Sequence, residues 1–145
     1  MFLYIPVVMS FFALTPPPEP LVEALLRLAG PGAHECGMVY VGQASSNATA
    51  CGKALLLTGK SFWLAVQVQA IDSDLWVGAA QASDGTKWLV EFDSNLNEES
   101  LPNPEPVRVT PCPDLEIAPN HRSLAYCPKK IKGVGAETTK AMVIK

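Results

Sequence analysis

Residues 61–93, SFWLAVQVQAIDSDLWVGAAQASDGTKWLVEFD, decide the fold because their apolar side chains recur with a period of two. The first apolar series begins at Phe62 and continues at every second residue to Ala70. Such alternation is typical of a β-strand with one buried face. Two polar turns follow, Ser73-Asp74 and Asp84-Gly85, and the second favours a tight hairpin because both residues tolerate positive φ. The sequence therefore predicts three antiparallel strands in a β-meander.

The register of this meander follows if both turns are two-residue loops. Ala79 then lies opposite Val90 in the second hairpin and opposite Val68 in the first. Because a slip of one residue would exchange the two faces, agreement between the hairpins supports the register. The shared apolar face consists of Phe62, Leu64, Val66, Val68, Ala70, Val77, Ala79, Trp88, Val90 and Phe92. Gln81 is the polar residue that interrupts it.

The opposite face of the meander is less polar than a solvated sheet should be. It carries Trp63, Trp76 and Leu89 beside Gln67 and Gln69. Two tryptophans on a half-apolar face are typical of a recognition surface, because aromatic side chains are enriched at binding sites. The other interpretation is that these tryptophans anchor a helix packed on this face.

Two helices and several short strands complete the domain. One helix is predicted over residues 19–29, where three leucines share one stripe. The other is predicted over residues 45–58 and is followed by Gly59, which suits a left-handed conformation. Short strands are predicted at 38–41, 107–110 and 115–117. The fold class is therefore α+β, with one or two helices packed on a three- to five-stranded antiparallel β-meander. This helix-then-meander order resembles the layout of cystatin-like and NTF2-like domains, a likeness of topology that implies no activity.

The four cysteines form two pairs of equal spacing, one before the meander and one after it. Cys36 and Cys51 lie 15 residues apart, as do Cys112 and Cys127. We expect disulfides within these pairs, one of three possible connectivities, in a small exported domain. Free buried thiols are the first alternative. A metal site with His34 is the second, but the sequence has no closely spaced C-x-x-C ligand pair.

The N-terminus predicts the compartment. Residues 1–15, MFLYIPVVMSFFALT, resemble the apolar core of a secretory signal, although no basic residue precedes them. The run is too short to span a bilayer comfortably, so the mature chain is expected to have no transmembrane span. A segment packed on the domain is the alternative. Residues 16–20 then form a proline-rich joint, 21–127 a single disulfide-stapled domain, and 128–145 a basic, mobile tail.

The charge distribution and the absence of known catalytic motifs argue against several classes of function. The net charge is −3, and the five lysines of residues 128–145 leave an acidic body, which argues against nucleic-acid binding. Neither His34 nor His121 lies in a recognisable catalytic or metal-binding motif, and no phosphate-binding loop is present. The sequence therefore predicts no catalytic residue, no metal site and no cofactor.

These patterns favour an exported, non-catalytic binding or accessory domain in the periplasm or outside the cell. Its expected partner is a protein, a peptide or an envelope component, held by the face that carries Trp63 and Trp76. The alternative is a small-molecule-binding or enzymatic domain with a pocket between the sheet and the 45–58 helix. Gln81 would orient the ligand in that pocket.

Overall fold

The structure, a computed structural model, describes residues 15–97, 106–119 and 121–129. Most of the expected leader and of the expected mobile tail lies outside the described residues. The elements in chain order are α1 (Glu19–Ala29), β1 (His34–Val39), α2 (Ser46–Thr58), β2 (Phe62–Val68), β3 (Leu75–Gln81), β4 (Lys87–Asp93), a 3-10 helix (Ser94–Asn97), β5 (Val107–Pro111), β6 (Glu116–Ile117) and β7 (Ala125–Tyr126). The α+β class is confirmed.

Helix α1 has the bounds that its sequence predicts, and local chemistry explains both ends. Pro20 lies in the first turn, where a missing N–H costs no helical hydrogen bond. Arg27 lies in the last turn, where the helix dipole favours a positive charge. Gly30 ends the helix at φ 85° and donates its N–H to the carbonyl of Leu26. The helix thus begins and ends without help from distant residues.

The main sheet has the strand order β1-β2-β3-β4-β5 and is mixed. Strands β2 to β5 pair antiparallel in sequence order, as a meander requires. Strand β1 instead runs parallel to β2, so the prediction of a purely antiparallel sheet is wrong at this edge. The reason is that α2 carries the chain back to the starting end of the sheet before β2 begins. The cystatin-like or NTF2-like layout is not confirmed.

The hairpin between β3 and β4 has a three-residue loop, not the predicted two-residue loop. Ala82 donates its N–H to the carbonyl of Thr86 over 2.9 Å, which makes these two residues the last pair before the turn. Gly85 has a φ of 85°, as the third residue of such a loop requires. The Asp84 carboxylate accepts a hydrogen bond from the Thr86 N–H, and this bond lowers the pKa of Asp84.

The extra loop residue moves every side chain of β4 to the other face. Ala79 lies opposite Leu89 and not Val90. The predicted placement of Trp88, Val90 and Phe92 on the face that carries Phe62 and Leu64 is therefore wrong. These three side chains lie on the face of α1, whereas Leu89 lies on the face of α2.

The hairpin between β2 and β3 also differs from its prediction, but with no exchange of faces. Val68 pairs with Leu75, so six residues form the loop instead of two. The register moves by an even number of residues, and an even shift keeps each side chain on its face. The predicted apolar series from Phe62 to Val68 accordingly packs as one face.

Each helix covers one face of the sheet, which gives the domain two cores. Under α1 the buried residues are Leu21, Ala24, Leu25, Ala29, Trp63, Ala65, Trp76, Ala80, Val90 and Phe92. Under α2 and the second, two-stranded sheet they are Val39, Ala48, Phe62, Leu64, Val66, Ala79, Cys112, Leu115, Ile117, Leu124 and Ala125. Helix α1 can pack this close to β3 because residue 78 is a glycine. A Cβ added there would lie 2.8 Å from the Leu25 side chain.

The predicted disulfides Cys36–Cys51 and Cys112–Cys127 are confirmed. Their Cα atoms are 5.5 and 5.7 Å apart, within the range that a disulfide spans. The first ties β1 to α2, and the second ties the chain after β5 to the chain after β7. Two disulfides favour an oxidising, exported environment. Within the described part of the chain, no helix is long and apolar enough to span a membrane.

Candidate functional site

The predicted tryptophan surface is not exposed. Trp63 and Trp76 retain 3% and 1% of their accessible surface, because α1 packs directly over them. Leu89 lies on the opposite face, against the core under α2. Leu89 is therefore separated from Trp63, Gln67 and Trp76, which share the face of α1, and the alternative interpretation, in which the tryptophans anchor a helix, fits their burial.

Gln81 is buried, and its side chain forms hydrogen bonds with the backbone at the end of α2. Its Nε2 donates to the carbonyls of Leu55 at 3.1 Å and Lys60 at 2.8 Å. Because both partners are acceptors, the amide nitrogen must face them, and Oε1 is left without a partner among the described residues. Helix α2 also lies close to the main sheet, since a Cβ on Gly52 would stand 2.7 Å from the Leu64 side chain of β2. This geometry does not favour a ligand pocket between the sheet and α2.

An open cleft lies where β1 and β2 end. Its volume is about 1100 Å³, and three stretches of chain converge on it: 39–45 from the end of β1 onward, 66–73 from the end of β2 onward, and 121–124 between β6 and β7. We call it the end cleft. The carboxyl ends of neighbouring parallel strands are a common ligand-binding position, because the connecting loops diverge there.

Backbone directions around the end cleft follow from the hydrogen bonds of the sheet. Ser94 donates its N–H to the carbonyl of Asp74, just before β3. The backbone N–H and carbonyl groups of even-numbered residues in β3 therefore point toward β4. The backbone groups of odd-numbered residues in β3 then point toward β2, where they pair with even-numbered residues. The backbone groups of odd-numbered residues in β2 are left to point toward β1. The bond from the His34 N–H to the Ser61 carbonyl agrees with this parity.

Strand β2 extends past the end of β1, and its backbone groups there face the end cleft. The last residue of β1, Val39, pairs with Val66, so Gln67 and Gln69 lie beyond it. The Val41 N–H, which would continue the ladder, donates to the side-chain Oε1 of Gln67 over 3.3 Å. The β1 pairing ends at Val66, Val41 donates no backbone bond to the Gln67 carbonyl, and the Gln69 N–H has no partner among the described residues, so both groups are open at this edge.

The side chain of Gln67 holds this arrangement in place. Its Oε1 accepts from Val41, and its Nε2 donates to Oδ1 of Asp74 over 3.1 Å. The same carboxylate oxygen accepts from Nε1 of Trp76 over 3.0 Å. The chain after β1 is thereby connected to the core under α1, so Gln67 shapes the end cleft instead of offering a free amide to a ligand.

The third wall of the end cleft is the 121–124 segment. His121 stacks on Tyr126 with ring centroids 4.3 Å apart, and its Nδ1 lies 2.8 Å from Oγ of Ser123. The Tyr126 hydroxyl donates to the Glu116 carboxylate, which raises the pKa of Tyr126. Arg122 donates through Nη2 to the Gln69 carbonyl. That hydrogen bond joins the 121–124 segment to the free edge of β2.

Two exposed apolar side chains border the end cleft. Val41 retains 48% of its accessible surface and Ile71 retains 98%. The polar side chains in the same lining include Gln69, Asp72 and Arg122. The cleft thus combines apolar contacts, charged groups and free backbone groups, which suits a ligand with a backbone and side chains better than an apolar small molecule.

No candidate metal-binding cluster is found within the described ranges. No group of three or more His, Cys, Asp or Glu side chains there could hold a metal ion. His34 is exposed at the start of β1, away from His121 in the end cleft.

Comparisons with known proteins add no relative. No protein-family model matches the chain, and neither a curated protein nor a solved structure matches it.

Proposed function

We propose that this chain is an exported, non-catalytic binding domain that holds an extended segment of a peptide or protein partner in the end cleft. The observation that carries the proposal is the pair of free backbone groups where β2 ends, the Gln67 carbonyl and the Gln69 N–H just after the strand. An extended partner residue satisfies both groups with its own N–H and carbonyl. Addition to a strand edge is a recurring way in which proteins bind peptides.

The surroundings of these two groups support the same ligand class. A volume of about 1100 Å³ is large and open enough for several residues of a peptide. Val41 and Ile71 offer apolar contacts at its border. Backbone pairing fixes a peptide without requiring a particular side chain, and the border residues then select among sequences.

The two disulfides support the proposed location outside the cytoplasm. They are stable outside the cytoplasm, so the partner is expected in the periplasm or the extracellular space. The leader-like residues 1–15 are consistent with this route, and we propose that they act as the export signal.

Removing one N–H tests the proposal. The Gln69→Pro variant lacks the cleft-facing donor, and its preceding residue, Val68, already has the extended conformation that proline favours. Gln69→Ala is the matched control, since it keeps the N–H. We expect the proline variant to bind the uncharged peptide N-acetyl-Val-Thr-Val-methylamide at least about tenfold more weakly than the control.

The binding is measured by amide chemical shifts of the full oxidised chain during titration with that peptide. The wild-type chain and Gln69→Ala should show shifts confined to residues 39–45, 67–71 and 121–124. Shifts elsewhere only, no shifts at millimolar peptide, or equal affinity for the proline and alanine variants would contradict the proposal.

A further inference from the structure

Arg122 holds its guanidinium group beside the two free backbone groups. Its Nη2 donates to the carbonyl of Gln69, the residue whose N–H faces the end cleft. A guanidinium has five N–H donors, so this single bond leaves most of them for a ligand. The Val68 carbonyl points toward β3, so the planar peptide that it shares with Gln69 directs the Gln69 N–H the opposite way, toward the open edge. The guanidinium therefore lies next to any group that accepts from the Gln69 N–H.

The charge of Arg122 is not neutralised locally. No carboxylate of the described residues lies within 4 Å of its guanidinium, whereas Arg108 on β5 has Glu91 at 3.8 Å. Asp72 is the acidic side chain in the lining of the end cleft, and it forms no ion pair with Arg122 within that distance. A positioned guanidinium without a carboxylate partner favours an anionic group on the ligand.

We propose that the end cleft recognises the free carboxylate end of a peptide, with Arg122 as the carboxylate-binding side chain; this rests on the peptide-binding function proposed above. The last residue of the peptide donates its N–H to the Gln67 carbonyl. Its terminal carboxylate accepts from the Gln69 N–H and from Arg122. This final residue takes the place on the β2 edge that a residue continuing β1 would have had.

The charge of the whole domain favours a single carboxylate over a polyanion. Residues 1–127 hold six basic and thirteen acidic side chains, so the surroundings of Arg122 repel a highly acidic ligand. A peptide terminus carries one negative charge and adds backbone hydrogen bonds to it. Free phosphate, in contrast, cannot supply the N–H that the Gln67 carbonyl accepts.

Two peptides that differ only at the C-terminus test this inference. N-acetyl-Val-Thr-Val is compared as free acid and as methylamide, by amide shifts of the full oxidised chain at about 0.15 M salt, where weak surface pairs are screened. We expect the acid to bind at least about tenfold more tightly than the methylamide. Arg122→Gln should remove this preference, and Arg108→Gln, on the far edge of the sheet, should keep it.

The outcomes separate the two proposals. Equal affinity for acid and methylamide, with shifts at Gln69 for both, would overturn carboxylate recognition and leave peptide binding intact. A preference for the acid that survives in Arg122→Gln would also overturn it. No shift near Gln69 with either peptide would remove the proposed function itself. Unchanged shifts of the core under α1 show that Arg122→Gln is folded.

Discussion

Replacing Trp76 with alanine is expected to lower the free energy of unfolding by about 3–5 kcal/mol, the usual cost of removing a buried indole. Trp76 is 1% exposed, and α1 covers it. Its ring makes an edge-on contact with Tyr40 at 5.1 Å, and its Nε1 donates to Asp74. Urea unfolding followed by circular dichroism measures the loss.

Trp88→Ala is the matched control for this prediction. Trp88 lies on the same face of the sheet but is only partly buried, at the start of β4. We expect a clearly smaller loss there. A Trp76→Ala variant that remains within about 1 kcal/mol of the wild type would contradict the assignment of this residue to the core.

Removing the second disulfide is expected to cost about 3 kcal/mol of stability and to abolish peptide binding. The double variant Cys112→Ala, Cys127→Ala opens a loop of 15 residues, and closing such a loop is worth about 3 kcal/mol in the chain-entropy model. The same loop carries Arg122. Without the disulfide, the 121–124 wall is no longer held beside β2.

The first disulfide provides the comparison, because its loop has the same length. Cys36→Ala, Cys51→Ala should lose a similar free energy of unfolding by urea denaturation. It leaves the Arg122–Gln69 contact in place, so the folded fraction should still bind N-acetyl-Val-Thr-Val. Equal loss of binding in both double variants would contradict the role of the 121–124 segment.

The features that sequence predicts well are those fixed by local chemistry. Helix α1 has its expected bounds because proline at the start and glycine at the end act within one turn. Both cysteine pairings are as predicted. The faces of β2 and β3 also follow from alternation alone, since their register error is an even number of residues.

The wrong predictions concern the length of the loop between β3 and β4 and the direction of β1, which short-range sequence patterns do not determine. Asp84-Gly85 suits both a two-residue and a three-residue loop, and the difference of one residue reverses β4. The parallel pairing of β1 depends on α2 crossing the sheet between β1 and β2. Neither choice changes the composition or the period of the strands involved.

The end cleft was only partly accessible to sequence reasoning. Gln67 and Gln69 were expected on a binding face, but for their neighbouring tryptophans and not for their backbone groups. Arg122 carries no signal of its own, because the residue that it contacts, Gln69, lies 53 positions away. Only the paired strands show that β2 continues past the end of β1.

Export with both disulfides formed is tested most directly by the intact mass of the native protein from separated cell fractions, purified without reductant and with a thiol-blocking reagent. We expect a chain outside the cytoplasm, shortened by loss of its leader. It should carry no blocked thiol and have a mass about 4 Da below the reduced form, since each disulfide removes two hydrogens. A full-length cytoplasmic chain with four blocked thiols would contradict it.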